Sequence, residues 1–273
     1  MVRKYLEKIY LLLIFVFLYA PIVVLMVFSF NNSKLKGRWM GFTFKWYKAL
    51  FEDTTILQSL YNTLIIALIA TVVATIIGTI TAIGLYELRN GFLKKFILNI
   101  NYLPILNPDI ITAVSLMGLY ALFKPLGLNF GFVTMTISHI VFCTPYVILA
   151  VLPKLYQMDR NTLEAAMDLG AKPLYAVRNV VIPQIIPGIV TGALMSFTLS
   201  IDDFVISYFT TGHGVSNLSI TIYSMARKGI NPSINAISTI MFLTLLVLLL
   251  IINKNTIKVD LTTEEGENIE EKI

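Results

Sequence analysis

Three carboxylates stand out in a chain that otherwise carries few charges: Asp109, and the adjacent pair Asp202 and Asp203 in LSIDDFVISYFTTG. Each falls within or at the edge of a strongly apolar stretch, where a charge is expensive and usually serves a transported ion or substrate. Negative groups at the mouth of a pathway favour a cation over an anion. Ser207, Tyr208, Ser200 and Thr210 could make brief polar contacts with ammonium groups, and Phe204, Tyr208 and Tyr223 could add cation–π contacts. A plainer reading stands beside this one, in which both aspartates sit at the outer water interface, capping a helix or meeting a lysine. Neighbouring helical positions point about 100 degrees apart, so at most one of the pair can face a central pathway squarely. Asp109 follows the interruption at Pro104, Asn107 and Pro108. It suits either the start of a resumed helix, where the dipole favours a carboxylate, or a pathway wall.

Other chemistries are poorly supplied. With His139, His213 and Cys143 as the only histidines and cysteine, no metal-ligand set can be assembled. His139, in an apolar run, reads as a packed, hydrogen-bonded residue, and Cys143 as a small buried hydrophobe. No GxxxxGK[ST] phosphate loop is present, so the chain is not itself an ATPase. No catalytic residue, metal or cofactor is expected.

The elements that must position these residues are apolar helices. Of 273 residues, 56% are hydrophobic and only 14% charged, outside the range of soluble domains. Six runs are long enough for a hydrocarbon core of ~30 Å. They lie at roughly 9–30, 59–86, 97–123, 131–153, 180–209 and 234–253, giving an all-α polytopic membrane domain over 1–253 and an acidic tail, 254–273, read as solvated. The first run is too long for a signal-peptide core and no small-residue cleavage site follows it, so it is a retained span. Arg3, Lys4 and Lys8 before it favour a cytoplasmic N-terminus, and six crossings return the C-terminus to the same side. The net charge of +5 is scattered among loops, as in proteins held against anionic lipid, and does not point to nucleic acid. The first outside loop, 31–58, works against the charge bias with Lys34, Lys36, Arg38, Lys45 and Lys48. Its Trp39, Phe42, Phe44, Trp46, Tyr47 and Phe51 read as an interfacial belt or, alternatively, as a docking surface for an extracytoplasmic partner. Asn62, Thr63, Thr71, Thr75, Gly78, Thr79, Thr81 and Gly84 suit close packing of the second span against other membrane helices.

Between the fourth and fifth spans lies a polar elbow, 159–183, containing EAAMDLGAKPLYAVRNVVIP. Asn161 is placed to cap a helix whose third position is Glu164, a capping-box arrangement. Leu163, Ala166 and Met167 give it a narrow apolar face, while Ala165 and Ala166 let another surface approach closely. Gly170 supplies a left-handed stop, and Pro173 suits the first turn of the next helix. Such a helix, about 12 Å long, is too short to be stable alone in water. Glu164, Ala165, Ala166, Gly170, Val180, Ile182 and Pro183 carry a resemblance to the EAA loop of bacterial ABC importer permeases: three residues separate Ala166 from Gly170, and nine separate Gly170 from Val180. The one departure is Val180, where the family most often has isoleucine.

The resemblance continues into NPDIITAVSL, SHIVFCTPYVI, SFTLSIDDFVISYFTTG and ITIYSMARKGINPSINAIST, which are similar to the second of the two permease subunits of spermidine/putrescine importers, over about residues 60–250. It implies a type I importer bundle in a bacterial cytoplasmic membrane and a partner permease of similar fold. It also implies two ATP-binding subunits gripping Glu164, Ala165, Ala166, Gly170 and Pro183, and an extracytoplasmic polyamine-binding protein. A permease for another small cationic or related solute fits the same residues. An ion-coupled secondary carrier would use Asp109, Asp202 and Asp203 but leaves the elbow unexplained, and a non-transporting scaffold explains only the spans.

Overall fold

The computed structural model describes residues 2–33, 38–88, 91–212, 214–228, 232–247 and 250. The acidic tail, Lys34, Lys36 and His213, named above, lie outside the described residues, as do the side chains of Arg3 and Lys4. Apart from one isolated bridge between Asn31 and Phe42, the described regular structure is helical. The helices are α1 (Val2–Ser29), α2 (Lys45–Glu52), α3 (Thr54–Glu87), α4 (Phe92–Leu106), α5 (Asp109–Phe123) and α6 (Phe132–Gln157). After these come α7 (Arg160–Asp168), α8 (Pro173–Ala176), α9 (Ile182–Asp202), α10 (Val205–Thr210), α11 (Leu218–Lys228) and α12 (Ser233–Val247).

Five helical stretches are long and apolar enough to cross a membrane: Glu7–Ser29, Thr54–Glu87, Asp109–Leu126, Phe132–Gln157 and Pro173–Asp202. The shorter α12 falls in the sixth expected run. The third run, 97–123, is broken as its prolines foretold. Asn107 is extended (φ −84°, ψ 145°), because the ring of Pro108 disfavours helical geometry in the residue before it, and α5 restarts at Asp109. The fifth run, 180–209, is not one helix: α9 stops at Asp202 and α10 begins at Val205.

The chain divides into two units, Met1–Gln58 with Thr221–Ile251, and Ser59–Ile220 with Ile252–Ile273. In the first, α1 turns its apolar side chains outward (Phe17 is 81% exposed), a surface suited to hydrocarbon. The loop that follows is organised by Asn31. Its side chain donates to Arg38 O (2.8 Å) and accepts from Met40 N (2.9 Å), while its carbonyl accepts from Trp46 Nε1 (2.8 Å). Trp46 is therefore buried, whereas Trp39, Phe42, Phe44 and Phe51 of the same aromatic group are exposed.

The second unit is built around α6, which supplies Phe142, Cys143, Val147, Val151 and Leu155 to one buried cluster with Leu116, Tyr120, Val181, Ile185 and Ile206. Small residues let neighbours close on it, as membrane helices require in the absence of a hydrophobic drive. A Cβ added at Gly192 of α9 would stand 3.1 Å from Val147 Cα, and one at Gly188 would stand 3.0 Å from Ala150 O. Gly192→Leu is accordingly expected to destabilise the chain by ~1–3 kcal/mol through overpacking. A lower midpoint of thermal unfolding in detergent is the check.

Candidate functional site

Two regions of the second unit carry the residues singled out above. The first is the elbow. Helix α7 is capped by Asp159, whose Oδ1 accepts from Asn161 N (2.9 Å). This corrects the expectation that Asn161 caps and that Glu164 closes a capping box. The carboxylate two residues earlier reaches the orphan amide first, and Glu164 lies in the exposed middle of the helix. At the other end, Gly170 adopts φ +87°. Its N–H bonds Met167 O (2.9 Å) and Ala171 N–H bonds Ala166 O (3.1 Å), the paired bonds of a Schellman stop. Pro173 opens α8, a π-turn over Val177–Val181 follows, and Pro183 lies in the first turn of α9.

Leu163 tucks against the buried cluster, whereas Ala165, Met167, Leu169 and Tyr175 are exposed, Leu169 by 91%. Ala166, Leu169, Gly170, Ala171, Lys172 and Tyr175 line a cleft of ≈ 510 Å³. An exposed apolar rim around a cleft, on a helix too short to stand alone, is what a docking element needs.

The second region is the break between α9 and α10. Asp202 is exposed, whereas the Asp203 side chain is only 6% exposed. Asp203 Oδ1 accepts from Ile206 N (3.1 Å), and its Oδ2 accepts from Ser207 N (2.7 Å) and Ser207 Oγ (2.8 Å). The break has a local cause: a carboxylate that satisfies the first amides of the next helix offers the backbone an alternative to continuing the last one. Asp203 thus supplies a carboxylate cap to α10, but from a nearly buried position and not from the outer water interface where the plainer reading put it.

Ser207 and Thr210 are buried, while Tyr208 is 46% exposed, with its ring centroid 5.4 Å from that of half-buried Phe204. Asp109 is exposed in the first turn of α5, where the cap position is Pro108 and no side-chain cap bond forms. The exposed members of the group in this unit are therefore Asp109, Asp202 and Tyr208, while Tyr223, also exposed, belongs to the first unit.

Sequence reading missed who holds the break. His139 of α6 places Nδ1 2.6 Å from Ser200 Oγ and Nε2 2.8 Å from Ser207 Oγ, with Asp203 Oδ2 at 3.5 Å. Asn217 donates to Ser207 Oγ (2.8 Å) and to Asp203 O (3.1 Å), and its Oδ1 accepts from Ile220 N (2.9 Å). Asn62 and Thr63 of α3 bind the loop just before α11: Asn62 donates to Ser216 O (3.0 Å), and Leu218 N donates to Thr63 Oγ (2.8 Å). The signal for Asn217 was available as an N-cap residue ahead of the apolar run LSITIY. Nothing local points to its bonds with Ser207 and Asp203.

Comparison with known proteins agrees with this architecture. Residues 74–256 match the family described as binding-protein-dependent transport system inner membrane component. The spermidine/putrescine transport system permease protein PotC of Shigella flexneri is 38% identical over 270 residues, covering 98% of this chain and 100% of that protein. The putrescine transport system permease protein PotI of Escherichia coli K12 is 39% identical over 238 residues, covering 84% and 83%. Among solved structures, a bacterial ABC transporter importing the acidic polysaccharide alginate superposes with a TM-score of 0.72 at 18% identity, covering 94% of this chain and 96% of that one. The MetNI methionine ABC transporter gives 0.62 at 19% identity, covering 75% and 95%. The likeness to these structures establishes the fold alone. With the family match and relatives aligned over nearly its whole length, this chain belongs to the inner membrane components of binding-protein-dependent transport systems, as an ABC importer permease.

Proposed function

We propose that the chain is one of two permease subunits of an ATP-driven polyamine importer, multi-pass in a bacterial inner membrane with both termini cytoplasmic. Its observed relatives are named for spermidine and putrescine, and the site at the α9–α10 break suits such cargo. Asp202 offers an exposed carboxylate to an ammonium group, and the Phe204–Tyr208 pair, close after it in the chain, offers aromatic faces. Asp109, in the first turn of α5, offers a further exposed carboxylate at a separate point of the proposed pathway. Few, solvated contacts release cargo as readily as they receive it, which a transporter needs. Asp203 and Ser207 serve this site from behind, by shaping it.

The observation that carries the coupling half of the proposal is the elbow, with its exposed Leu169 and Tyr175 around the cleft. In this reading an ATP-binding subunit seats α7, with Glu164, Ala165, Ala166 and Gly170 at the contact. Nucleotide binding draws two such subunits together and pulls the elbows of both permeases with them. The bundles then rock to face outward and accept cargo from a docked extracytoplasmic polyamine-binding protein. Transport follows because the bundle has two states and ATP biases the balance between them. This chain contributes no catalytic group, and hydrolysis belongs to the partner.

Proteoliposomes holding the chain with its partner permease, ATPase and binding protein are expected to accumulate radiolabelled spermidine or putrescine only with ATP. Omitting the ATPase should abolish accumulation. Concentration of cargo by the purified chain under an ion gradient alone overturns the proposal in favour of a secondary carrier.

A further inference from the structure

The polar cluster around His139 includes the Asp203 and Ser207 that shape the proposed cargo site, and the transport reading above gives the histidine itself no part. Counting protons fixes the direction of its central bonds. The Asp203 carboxylate can only accept, so the single hydroxyl proton of Ser207 goes to Oδ2 at 2.8 Å. Asn217 Nδ2 can only donate, and takes one lone pair of Ser207 Oγ at 2.8 Å. Ser207 has no second proton, so the 2.8 Å contact with His139 requires that Nε2 carry the hydrogen and donate. On its other side the ring places Nδ1 2.6 Å from Ser200 Oγ, whose hydroxyl can donate to a neutral ring or accept from a charged one, and the Nε2 bond runs the same way in both cases. The bonds from Nε2 to Ser207 and from Ser207 to Asp203 each run in one direction, so the ring, the hydroxyl and the carboxylate form a chain of fixed polarity.

Through that chain, α6 grips four segments at one point. Ser200 lies in the last turns of α9, Asp203 is the break itself, Ser207 sits in α10, and Asn217 leads into α11. Asp203 and Ser207 are neighbours in sequence of Asp202 and Tyr208 respectively, and those two point outward while Asp203 and Ser207 point in. The direction of the exposed pair is thus the complement of the direction in which the buried pair is held. Without the bond from His139, the carboxylate cap would still start α10, and the angle at which α10 leaves α9 would be left to Asn217, to the bond from Thr134 Oγ to Thr210 O (2.9 Å) and to the packing of Ile206, none of which holds the Ser207 hydroxyl against α6.

We infer that His139 is a positioning residue for transport: by donating from Nε2 to Ser207, it fixes the Asp203–Ser207 corner and so sets the direction in which Asp202 and Tyr208 meet the cargo. The inference rests on the cargo reading of Asp202 and Tyr208.

The test uses the assembled transporter and a readout that does not depend on transport. In a Cys143→Ser background, which removes the only cysteine, Asp202→Cys is labelled with a cationic thiol reagent. His139→Gln keeps an amide N–H where Nε2 stood, His139→Asn keeps only a group at the Nδ1 position, and His139→Leu keeps neither. Loss of the buried bond in His139→Leu and His139→Asn is expected to change the labelling rate at least about threefold, and in chains with native Asp202 to lower maximal uptake about tenfold. The cargo concentration for half-maximal uptake should stay unchanged. His139→Gln should hold labelling and uptake within about twofold of the parent. Labelling in His139→Leu equal to the parent overturns the inference, as does His139→Gln failing as badly as His139→Leu. If His139→Leu does not insert, the contrast between His139→Gln and His139→Asn decides in the same way. Should Asp202→Asn leave uptake intact, the cargo reading falls, while the labelling result still judges His139.

Discussion

Replacing Gly170 with valine leaves the chain inserted in the membrane at its normal level and abolishes ATP-driven uptake. The argument rests on where the strain falls. At φ +87° an L side chain meets its own backbone, at a cost of roughly 1–2 kcal/mol for ordinary residues and more for a β-branched one. A Cβ there would find no other atom within 4 Å, so packing adds nothing to that cost. The fold is therefore safe, but the turn is not. The cheapest escape is to leave the left-handed region, which breaks the bonds from Gly170 N to Met167 O and from Ala171 N to Ala166 O. Those bonds set the angle at which the chain leaves α7 for α8, and with it the rim formed by Leu169, Lys172 and Tyr175. An ATPase that seats α7 in a groove meets a differently shaped elbow, and uptake is expected to fall at least about tenfold, the size of an ordinary coupling free energy. Gly170→Asn, which tolerates the left-handed region, should retain most activity. Uptake assays paired with membrane immunoblots check both variants. Wild-type uptake in Gly170→Val, or equal loss in the asparagine variant, would sink the conformational account.

The two aspartates at the break are expected to fail in different ways. Asp203→Asn loses stability. Its carboxylate accepts from Ile206 N, Ser207 N and Ser207 Oγ, all donors, and an amide offers one oxygen where two are needed. The unmet donors in a nearly buried site cost ~1–3 kcal/mol, seen as a lower unfolding midpoint in detergent and less protein in the membrane. Asp202→Asn keeps both at wild-type levels, because its side chain is exposed. Uptake of spermidine per molecule of inserted protein should nonetheless drop about tenfold, through lost attraction for a cationic cargo. Raising ionic strength should reduce wild-type uptake toward the variant's, since an exposed charge is screened. Full uptake in Asp202→Asn with normal abundance ends the pathway proposal for that residue. Normal stability in Asp203→Asn ends the capping account of the break.

The outcomes separate what is local in this protein from what is not. Gly170 and Pro173 were legible because a left-handed stop and a first-turn proline act within a few residues of themselves. The break at Asn107–Pro108 was legible for the same reason. The cap of α7 was misassigned within the same short range, since Asp159 and Asn161 are both good caps and only their geometry ranks them. The break after Asp202 was harder. No proline or glycine marks it, and an apolar run on either side reads as one helix.

The order of apolar runs and the spacing of the elbow were determined by the amino-acid sequence alone, because helix length, amphipathic period and turn chemistry depend on near neighbours. The opposite fates of Asp202 and Asp203 were decided only in the tertiary structure. His139 and Ser207 are 68 positions apart, and Asn217 reaches Asp203 across 14. The donors to the carboxylate itself lie within four residues of it, but the bonds that hold this corner inside, from His139 to Ser207 and from Asn217 to Ser207 and the Asp203 carbonyl, exist only once α6, α9 and α10 have packed.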